Sequence, residues 1–237
     1  MKNRMDQQRL MDKPIVKYSY GPYNKMDDIQ QWIRITEGCP HNCPYCYEPT
    51  EIKIFPVPLI LRNIVKIMDM NMLCKTEAID ILKSLPERVN GNIVRYEFVC
   101  GIDYRFLTEA IAREMKNKHF ERIRIAWDWY MKDQYKIKDA LKILYSVGYA
   151  PIDVIVFMIC NWEISYKECL RKLEVCKVWN VKVADCYYDN QINITKRFIP
   201  IGWTTKNARD FRRRVRRHNM LVNFKIDPLV KSKEIRK

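Results

Sequence analysis

Short runs of apolar residues alternate with amphipathic segments along most of the chain. The runs recur at intervals of roughly 30 residues, which is the spacing of a strand followed by a helix. Many of them are rich in isoleucine and valine, residues that favour β-strands. The pattern predicts six strands, at residues 32–36, 64–68, 93–100, 123–127, 152–159 and 181–186.

Between the strands, apolar residues recur at the three- and four-residue spacing of amphipathic helices. The first such segment, 78–85, is closed by Pro86, which cannot continue a helix. Thr108 is a candidate N-cap of the next helix. Ser165 and Glu168 form the S-x-x-E capping box of a later one. The chain is therefore predicted to consist of consecutive βα units.

Alternating strands and helices favour a parallel sheet with right-handed crossovers. Six units predict an α/β fold that is a partial (β/α)6 barrel of the TIM type, open where an eight-fold barrel closes. We expect residues 31–190 to form this core, 1–30 an N-terminal extension that covers one end of the barrel or lengthens its edge, and 191–237 a basic C-terminal extension. In such folds the chemistry lies at the carboxyl ends of the strands.

Composition agrees with one large domain, since 48% of the 237 residues are hydrophobic. No run of about 18 apolar residues is present, and the first residues are polar, without the apolar stretch of a signal peptide. We therefore expect a cytoplasmic protein that does not enter a membrane.

The stretch "CPHNCPYCYEP" at 39–49 places three of the nine cysteines within eight positions. In a cytoplasmic protein, clustered cysteines are expected to be reduced and to bind a metal or cluster. Thiolates suit zinc or iron–sulfur clusters. A structural zinc site takes four ligands, and His41 is available as the fourth. A cubane cluster on three cysteines instead leaves one iron open to another ligand.

The spacing Cys39-x3-Cys43-x2-Cys46, with Tyr45 directly before the third cysteine, resembles the signature of the radical S-adenosylmethionine superfamily. The βα pattern extends the resemblance over about residues 30–190. The resemblance implies a 4Fe-4S cluster whose open iron binds S-adenosylmethionine, reduced by a flavodoxin- or ferredoxin-type electron donor. Cleavage of the sulfonium would give a 5′-deoxyadenosyl radical that removes a hydrogen atom from a substrate. A zinc knuckle would leave the βα series unexplained.

The superfamily usually carries a Gly-Gly-Glu-like segment after the second strand, where it binds the methionyl ammonium. This chain has six glycines, none of them adjacent. Asp69 and Asn71 follow the predicted second strand and supply oxygen acceptors, so we expect them to replace that segment. Arg105, after the third strand, is expected to bind the methionyl carboxylate, unless it pairs with Asp103 or Glu109 instead.

The same resemblance assigns further residues to S-adenosylmethionine. Asp128, after the fourth strand, is expected to bind the ribose hydroxyls, and Asn161 and Trp162, after the fifth, the adenine. Tyr45 and Tyr47 flank the third cysteine and are also assigned to the cofactor. Tyr47 would pack over the adenine, with ordinary packing of the loop as the alternative.

Other cysteines follow predicted strands. Cys100, Cys160 and Cys186 would meet over the barrel and hold a second cluster, relay a hydrogen atom, or fill the core as small buried side chains. Cys74 stands at the start of a predicted helix, and we expect it to be inert.

Positive charge is concentrated near the C-terminus. The formal net charge is +15, and residues 204–237 contain 12 basic and 3 acidic residues. Such a segment suits a polyanion such as nucleic acid, or is a solvated tail. Six arginines lie in one predicted helix, Arg209, Arg212, Arg213, Arg214, Arg216 and Arg217.

These features leave three hypotheses for function. The first is a radical enzyme acting on nucleic acid or on a nucleotide-derived molecule, guided by the basic segment. The second is a radical enzyme acting on a peptide or protein, such as an activase or a peptide maturase, which would often carry an additional binding domain or further cluster motifs. The third is a non-catalytic zinc knuckle that binds nucleic acid.

Overall fold

The computed structural model describes residues 17–160, 164–187 and 202–225. Within these ranges the chain is a mixed α/β protein whose sheets contain parallel strands. The described strands are β1 (Tyr23–Met26), β2 (Gln31–Arg34), β3 (Thr36–Glu37), β4 (Lys53–Ile54), β5 (Ile64–Ile67), β6 (Arg88–Val89), β7 (Asn92–Ile93), β8 (Arg95–Phe98), β9 (Ile123–Ala126), β10 (Val154–Ile159) and β11 (Lys182–Cys186).

The same ranges contain five α-helices. Two predicted caps are confirmed: the Thr108 hydroxyl accepts the Ile111 N–H at 3.2 Å, and the Ser165 hydroxyl accepts the Glu168 N–H at 3.2 Å. No helix in the described ranges is both long enough and apolar enough to cross a membrane. The helices are α1 (Ala78–Ser84), α2 (Glu109–Asn117), α3 (Gln134–Ser146), α4 (Tyr166–Trp179) and α5 (Thr205–Asn223).

The described residues fall into two compact units. The first contains residues 17–126 and 135–154, and the second contains 127–134 and the described residues from 155 onward. The cysteine loop belongs to the first unit and the arginine-rich helix to the second. The domain bounds expected from the sequence, 1–30, 31–190 and 191–237, stay a prediction.

The first unit is built on a four-stranded sheet in the order β1-β2-β5-β8. Strands β2, β5 and β8 run parallel, whereas β1 pairs antiparallel with β2 and lengthens the sheet at its edge. In register, Ile33 lies opposite Ile67, and Val65 opposite Tyr96, and all four side chains are fully buried. This apolar face fixes the register, so the carboxyl ends of the three parallel strands meet at one edge.

The second unit contains the parallel pair β10 and β11, in which Val156 lies opposite Val183. Helix α5 packs against β11 and α4. Its buried side chains include Phe211, Val215 and Val222, which recur at the spacing of one helical face.

The predicted α/β class with parallel strands is confirmed, and each of the six predicted strands overlaps an observed one. No closed barrel forms within the described ranges, so the partial (β/α)6 barrel stays a prediction. Two predicted strands are each divided. The run 32–36 is divided between β2 and β3, because β3 pairs antiparallel with β4. The run 93–100 is divided between β7 and β8, because β6 and β7 form a hairpin around Asn90 and Gly91.

Candidate functional site

The three-cysteine loop begins directly after β3, at the carboxyl end of parallel strand β2, as the sequence predicts. Its two ends are joined because the Cys39 N–H donates to the Pro49 carbonyl at 2.8 Å. Inside the loop, the Cys46 N–H donates to the Cys43 carbonyl at 3.1 Å. The loop is therefore a closed turn that carries the three cysteines.

Gly38 fixes the start of this loop. Its backbone has φ +92°, and a β-carbon added there would lie 2.0 Å from the Glu51 carbonyl oxygen. The Gly38 N–H donates to Glu48 Oε1 at 2.7 Å, and its carbonyl accepts a hydrogen bond from the Lys75 ammonium. Glu48 and Lys75 are both buried. The peptide immediately before Cys39 is thus held from both sides, and only glycine fits.

The thiolate form of Cys39 is stabilised by its surroundings. Its sulfur accepts a hydrogen bond from the Cys74 thiol and another from Asn71 Nδ2, which lies 3.4 Å away. The Cys74 hydrogen bond is the main reason that the pKa of Cys39 is lowered to about 5. A thiolate at neutral pH is the form that binds metal.

Cys46 lies in a different environment on the same loop. Burial raises the pKa of its thiol to about 11, although its sulfur accepts the Glu48 N–H at 3.4 Å. Cys43 is half-buried, and its charge acts on both Cys46 and Arg105. Cys46 would therefore lose its proton mainly when a cation binds it.

The fit of the loop to a metal or cluster rests on its donor chemistry. Among residues 17–160, 164–187 and 202–225, no three or more His, Cys, Asp or Glu side chains are already grouped as a metal site. Cys39, Cys43 and Cys46 are nevertheless all reduced and half-buried. Three such thiols on one closed turn are a suitable donor set for soft metal ions.

Two unpaired oxygen acceptors lie after β5, at the positions predicted for the methionyl ammonium. Asp69 is fully buried, and its Oδ1 accepts the Ile35 N–H at 3.0 Å. Its Oδ2 makes no hydrogen bond of standard geometry within the described residues, although the Thr36 hydroxyl and N–H are near enough to lower the pKa of the carboxyl. The Oδ1 of buried Asn71 is likewise without a partner there. Burial raises the pKa of Asp69 to about 6. Buried oxygens without partners are costly, so they favour a donor from a ligand.

Asp103 joins the cysteine loop to the segment that follows β8. Its Oδ2 lies 2.9 Å from His41 Nε2 and accepts a hydrogen bond from Asn71 Nδ2 at 3.3 Å. Phe106 packs against the His41 ring, with centroids 5.3 Å apart. Sequence reasoning considered Asp103 only as a partner of Arg105 and missed this role, because its contacts depend on tertiary structure.

Arg105 forms the ion pair with Asp103 that was the alternative to its binding a ligand carboxylate. Its Nε and Nη2 donate to the two oxygens of Asp103 at 2.8 and 2.7 Å. The Arg105 side chain is 37% exposed. Binding of a ligand carboxylate by Arg105 stays a prediction.

The aromatic residues of the loop pack locally. Tyr47 stacks on Tyr18 with centroids 5.7 Å apart, and its hydroxyl lies 3.8 Å from the Met70 sulfur. Tyr20 contacts the Tyr47 ring edge-on at 5.4 Å. Tyr45 is half-buried. These contacts fix the orientation of the Tyr47 ring, and the predicted contact with adenine stays untested.

Asp128, another of the cofactor predictions, lies in the second unit. Asp128 is half-buried and is one of the acidic groups near the fully buried Lys172 ammonium, whose pKa is lowered by burial. Lys172 donates a hydrogen bond to the Trp127 carbonyl at 2.9 Å. Asn161 and Trp162 lie outside the described residues.

The other cysteines divide between the two units. In the second, the Cys160 N–H donates to the Cys186 carbonyl at 2.8 Å, and the buried Cys160 thiol also contacts Cys169. Cys100 belongs to the first unit, where burial raises the pKa of its thiol to about 11. The second cluster stays a prediction. Cys74 ends a short 3-10 turn rather than starting a helix, and it contacts Cys39; the expectation that it is inert stays a prediction.

Helix α5 confirms the prediction that its arginines face solvent at least in part. Arg212 lies 3.4 Å from Asp185, and Arg214 lies 2.6 Å from Asp210. All six arginines of the helix are exposed: Arg209, Arg212, Arg213, Arg214, Arg216 and Arg217.

Comparison with known proteins does not assign the chain to a family. No protein-family model matches the chain, and no curated protein matches it. The chemistry of the chain's own residues is therefore the basis for a functional proposal.

Proposed function

We propose that this chain is a radical S-adenosylmethionine enzyme in which Cys39, Cys43 and Cys46 hold a 4Fe-4S cluster. The observation that carries the proposal is the position of Asn71. Its amide nitrogen donates to the Cys39 sulfur, while its Oδ1 is buried without a partner among the described residues. An unpaired acceptor directly beside a thiolate loop suits a ligand that contacts both a cluster and the protein.

The first task of the chain is to hold the thiolates. The Gly38 peptide, bound by Glu48 and Lys75, sets where the loop begins. Hydrogen bonds from Cys74 and Asn71 keep Cys39 deprotonated. Because hydrogen bonds to cluster sulfurs change the reduction potential, Asn71 would also affect how easily the cluster accepts an electron.

The second task is to orient S-adenosylmethionine. Asp69 Oδ2 and Asn71 Oδ1 would accept hydrogen bonds from the methionyl ammonium, and Arg105 Nη1 would bind the carboxylate. We assign the ribose to Asp128 and the adenine to Tyr45, Tyr47, Asn161 and Trp162, on the resemblance alone.

When bound, the cluster would supply the electron that cleaves the sulfonium, giving methionine and a 5′-deoxyadenosyl radical that removes a hydrogen atom from the substrate. The loop and the segment after β5 would meanwhile limit the access of water: Glu48 and Asn71 are buried, and Tyr47 is half-buried under Tyr18 and Tyr20.

Metal loading tests the proposal. The protein is purified without oxygen and reconstituted with iron and sulfide, and bound iron is measured for the wild type, for Cys43→Ala and for the control Cys176→Ala, which removes a buried thiol of α4. We expect about four iron atoms per chain in the wild type and in the control, and a large loss in Cys43→Ala. Equal iron contents in all three proteins would contradict the proposal.

A second candidate function is a zinc site, and the contact between His41 and Asp103 favours it. A histidine that binds a metal through one ring nitrogen commonly places the other near a carboxylate; His41 Nε2 lies 2.9 Å from Asp103 Oδ2, although not in hydrogen-bond geometry. The zinc hypothesis predicts that His41→Ala loses bound zinc. The cluster hypothesis predicts that His41→Ala keeps its iron, because only the three cysteines are ligands.

A further inference from the structure

Helix α5 is firmly attached to the second unit. Asn219 accepts the Val183 N–H at 2.8 Å and donates to the Val183 carbonyl at 2.7 Å, so its amide pairs with the backbone of β11. His218 Nε2 lies 2.7 Å from the Val181 carbonyl oxygen. Phe211 packs edge-on against Trp203, with centroids 5.7 Å apart. The apolar face of α5 is therefore buried in its own unit and is not available to a membrane or to a partner helix.

The opposite face of α5 carries only basic residues over three turns. At 100° per residue, five cations fall within an arc of about 100°. Each of these side chains is exposed, and none has an ion pair within the described ranges. We name the set the basic face: Lys206, Arg209, Arg213, Arg216 and Arg217.

The acidic groups near α5 make their ion pairs with residues outside the basic face. Asp210, the only acidic residue of the helix, accepts hydrogen bonds from Arg214 Nε at 2.6 Å and from the Tyr166 hydroxyl at 2.6 Å. Asp185 is paired with Arg212, whose guanidinium also stacks over Tyr187 at 4.2 Å. These carboxylates thus pair with the arginines at the sides of the helix. Arg213 of the basic face also acts on Asp210 and lowers its pKa, but no residue of the face has an ion pair within the described ranges.

The like charges of the basic face destabilise helix α5, because charges of the same sign three or four residues apart on a helix repel each other. Arg209 and Arg213, and Arg213 and Arg217, are spaced in this way. The five charges lie within 12 residues, from Lys206 to Arg217, or about 17 Å of helix. A dense row of cations on a rigid support is complementary to a row of anions of similar spacing.

We propose that the basic face is a docking surface for the phosphate backbone of a nucleic acid. Phosphates repeat regularly along a strand and release counterions when Arg or Lys neutralises them. At the C-terminal end of the same face, Met220 and Phe224 are 52% and 70% exposed. Phe224 provides a ring on which an unpaired base can stack, which favours a single strand.

Salt dependence of binding tests the surface. Binding of a fluorescein-labelled 20-nucleotide single-stranded RNA is followed by anisotropy from 50 to 300 mM KCl, with cluster-free protein. The test variant replaces Arg209, Arg213, Arg216 and Arg217 by Gln, which keeps helix propensity nearly unchanged. The control replaces four exposed cations of the first unit by Gln: Lys83, Arg113, Lys138 and Lys142.

We expect the test variant to bind at least ten-fold more weakly than the wild type at 100 mM KCl. Its slope of log K against log salt should fall in magnitude by about 3, since each phosphate contact to a single strand contributes about 0.7. The control should change the slope by less than about 1. Equal losses in both variants would overturn the proposal. Binding to vesicles containing anionic lipid, without binding to RNA, would overturn it too.

This inference does not depend on the proposed cluster chemistry, because binding is measured without iron. If RNA binding fails and iron loading succeeds, only the docking surface is wrong. If RNA binding succeeds and iron loading fails, the surface stands and the radical chemistry does not.

Discussion

Asn71 Nδ2 donates a hydrogen bond to the Cys39 sulfur at 3.4 Å, across 32 residues of sequence. The bond joins the segment after β5 to the cysteine loop after β3. The nitrogen of the same amide also contacts Asp103, so three segments of the first unit meet at one side chain. In the proposed enzyme this side chain contacts both the cluster ligand and the ammonium of S-adenosylmethionine.

Replacing Asn71 by Ala should therefore weaken S-adenosylmethionine binding to the reconstituted protein. Loss of a hydrogen bond to a charged group costs about 1.5 to 3 kcal/mol, or about 10- to 150-fold in affinity. Equilibrium dialysis with labelled cofactor measures the change. Asn92→Ala, on an exposed strand end, is the matched control and should bind as the wild type does. Unchanged affinity in Asn71→Ala would remove Asn71 from the cofactor site.

Gly38→Ala should destabilise the fold by about 2 to 5 kcal/mol, since alanine meets both left-handed strain and a backbone clash. Gly91→Ala separates the two causes: Gly91 has φ +79° but nothing lies within 4 Å of its added β-carbon. We expect Gly91→Ala to cost only about 1 to 2 kcal/mol. Urea unfolding of cluster-free protein gives both values. Equal costs would mean that the contact with Glu51 is not a constraint.

The pKa of Asp69, raised to about 6 by burial, predicts a pH dependence of stability. The unfolded carboxyl loses its proton near pH 4 and the folded one near pH 6. The contribution of Asp69 to the free energy of unfolding therefore falls as pH rises from about 4 to about 6, by up to roughly 3 kcal/mol.

Asp69→Asn has no such proton, so it should gain stability relative to the wild type between pH 4 and pH 7. Urea unfolding of both cluster-free proteins at the two pH values measures this difference, in which the effects of other titrating groups cancel. Parallel pH profiles would show that the Asp69 carboxyl has an ordinary pKa.

Cys39 and Cys46 should differ in reactivity in the cluster-free protein. With a pKa of about 5, Cys39 is about nine-tenths thiolate at pH 6, whereas Cys46, with a pKa of about 11, is protonated. Brief treatment with iodoacetamide at pH 6, followed by peptide mass spectrometry, should find Cys39 labelled and Cys46 unlabelled.

The Cys74 hydrogen bond is the main cause of the low pKa of Cys39, so Cys74→Ala should shift Cys39 labelling to higher pH. Cys176→Ala, which removes a buried thiol of α4, should leave the Cys39 profile unchanged. Equal labelling of Cys39 and Cys46 in the wild type would contradict the assigned environments.

Periodicity predicted the strands and several helices because local apolar spacing reports burial directly. It missed the β6–β7 hairpin, although Asn90-Gly91, with both residues at positive φ, is a recognised hairpin signal. Periodicity also predicted β2 and β3 as one strand. The two are separate because β3 pairs antiparallel with β4 at 53–54, and a pairing between distant segments leaves no signal in the local sequence.

The candidate site was predictable only in part. The spacing of Cys39, Cys43 and Cys46 marked the loop, and their sequence position placed it after a strand. The contacts of Asp103 with His41 and of Cys74 with Cys39 join residues about 35 or more positions apart. No pattern in a single sequence encodes such pairs, so the contacts of Asp103 and Cys74 with the loop are visible only in the tertiary structure.

The most direct test of the central claim is chromatographic measurement of 5′-deoxyadenosine. Reconstituted protein is incubated without oxygen with S-adenosylmethionine and dithionite, beside Cys43→Ala and Cys176→Ala. We predict that the wild type and Cys176→Ala release the nucleoside, whereas Cys43→Ala releases none above the protein-free background. Absence of the nucleoside from iron-loaded wild type, or equal amounts from all three proteins, would contradict the assignment as a radical S-adenosylmethionine enzyme.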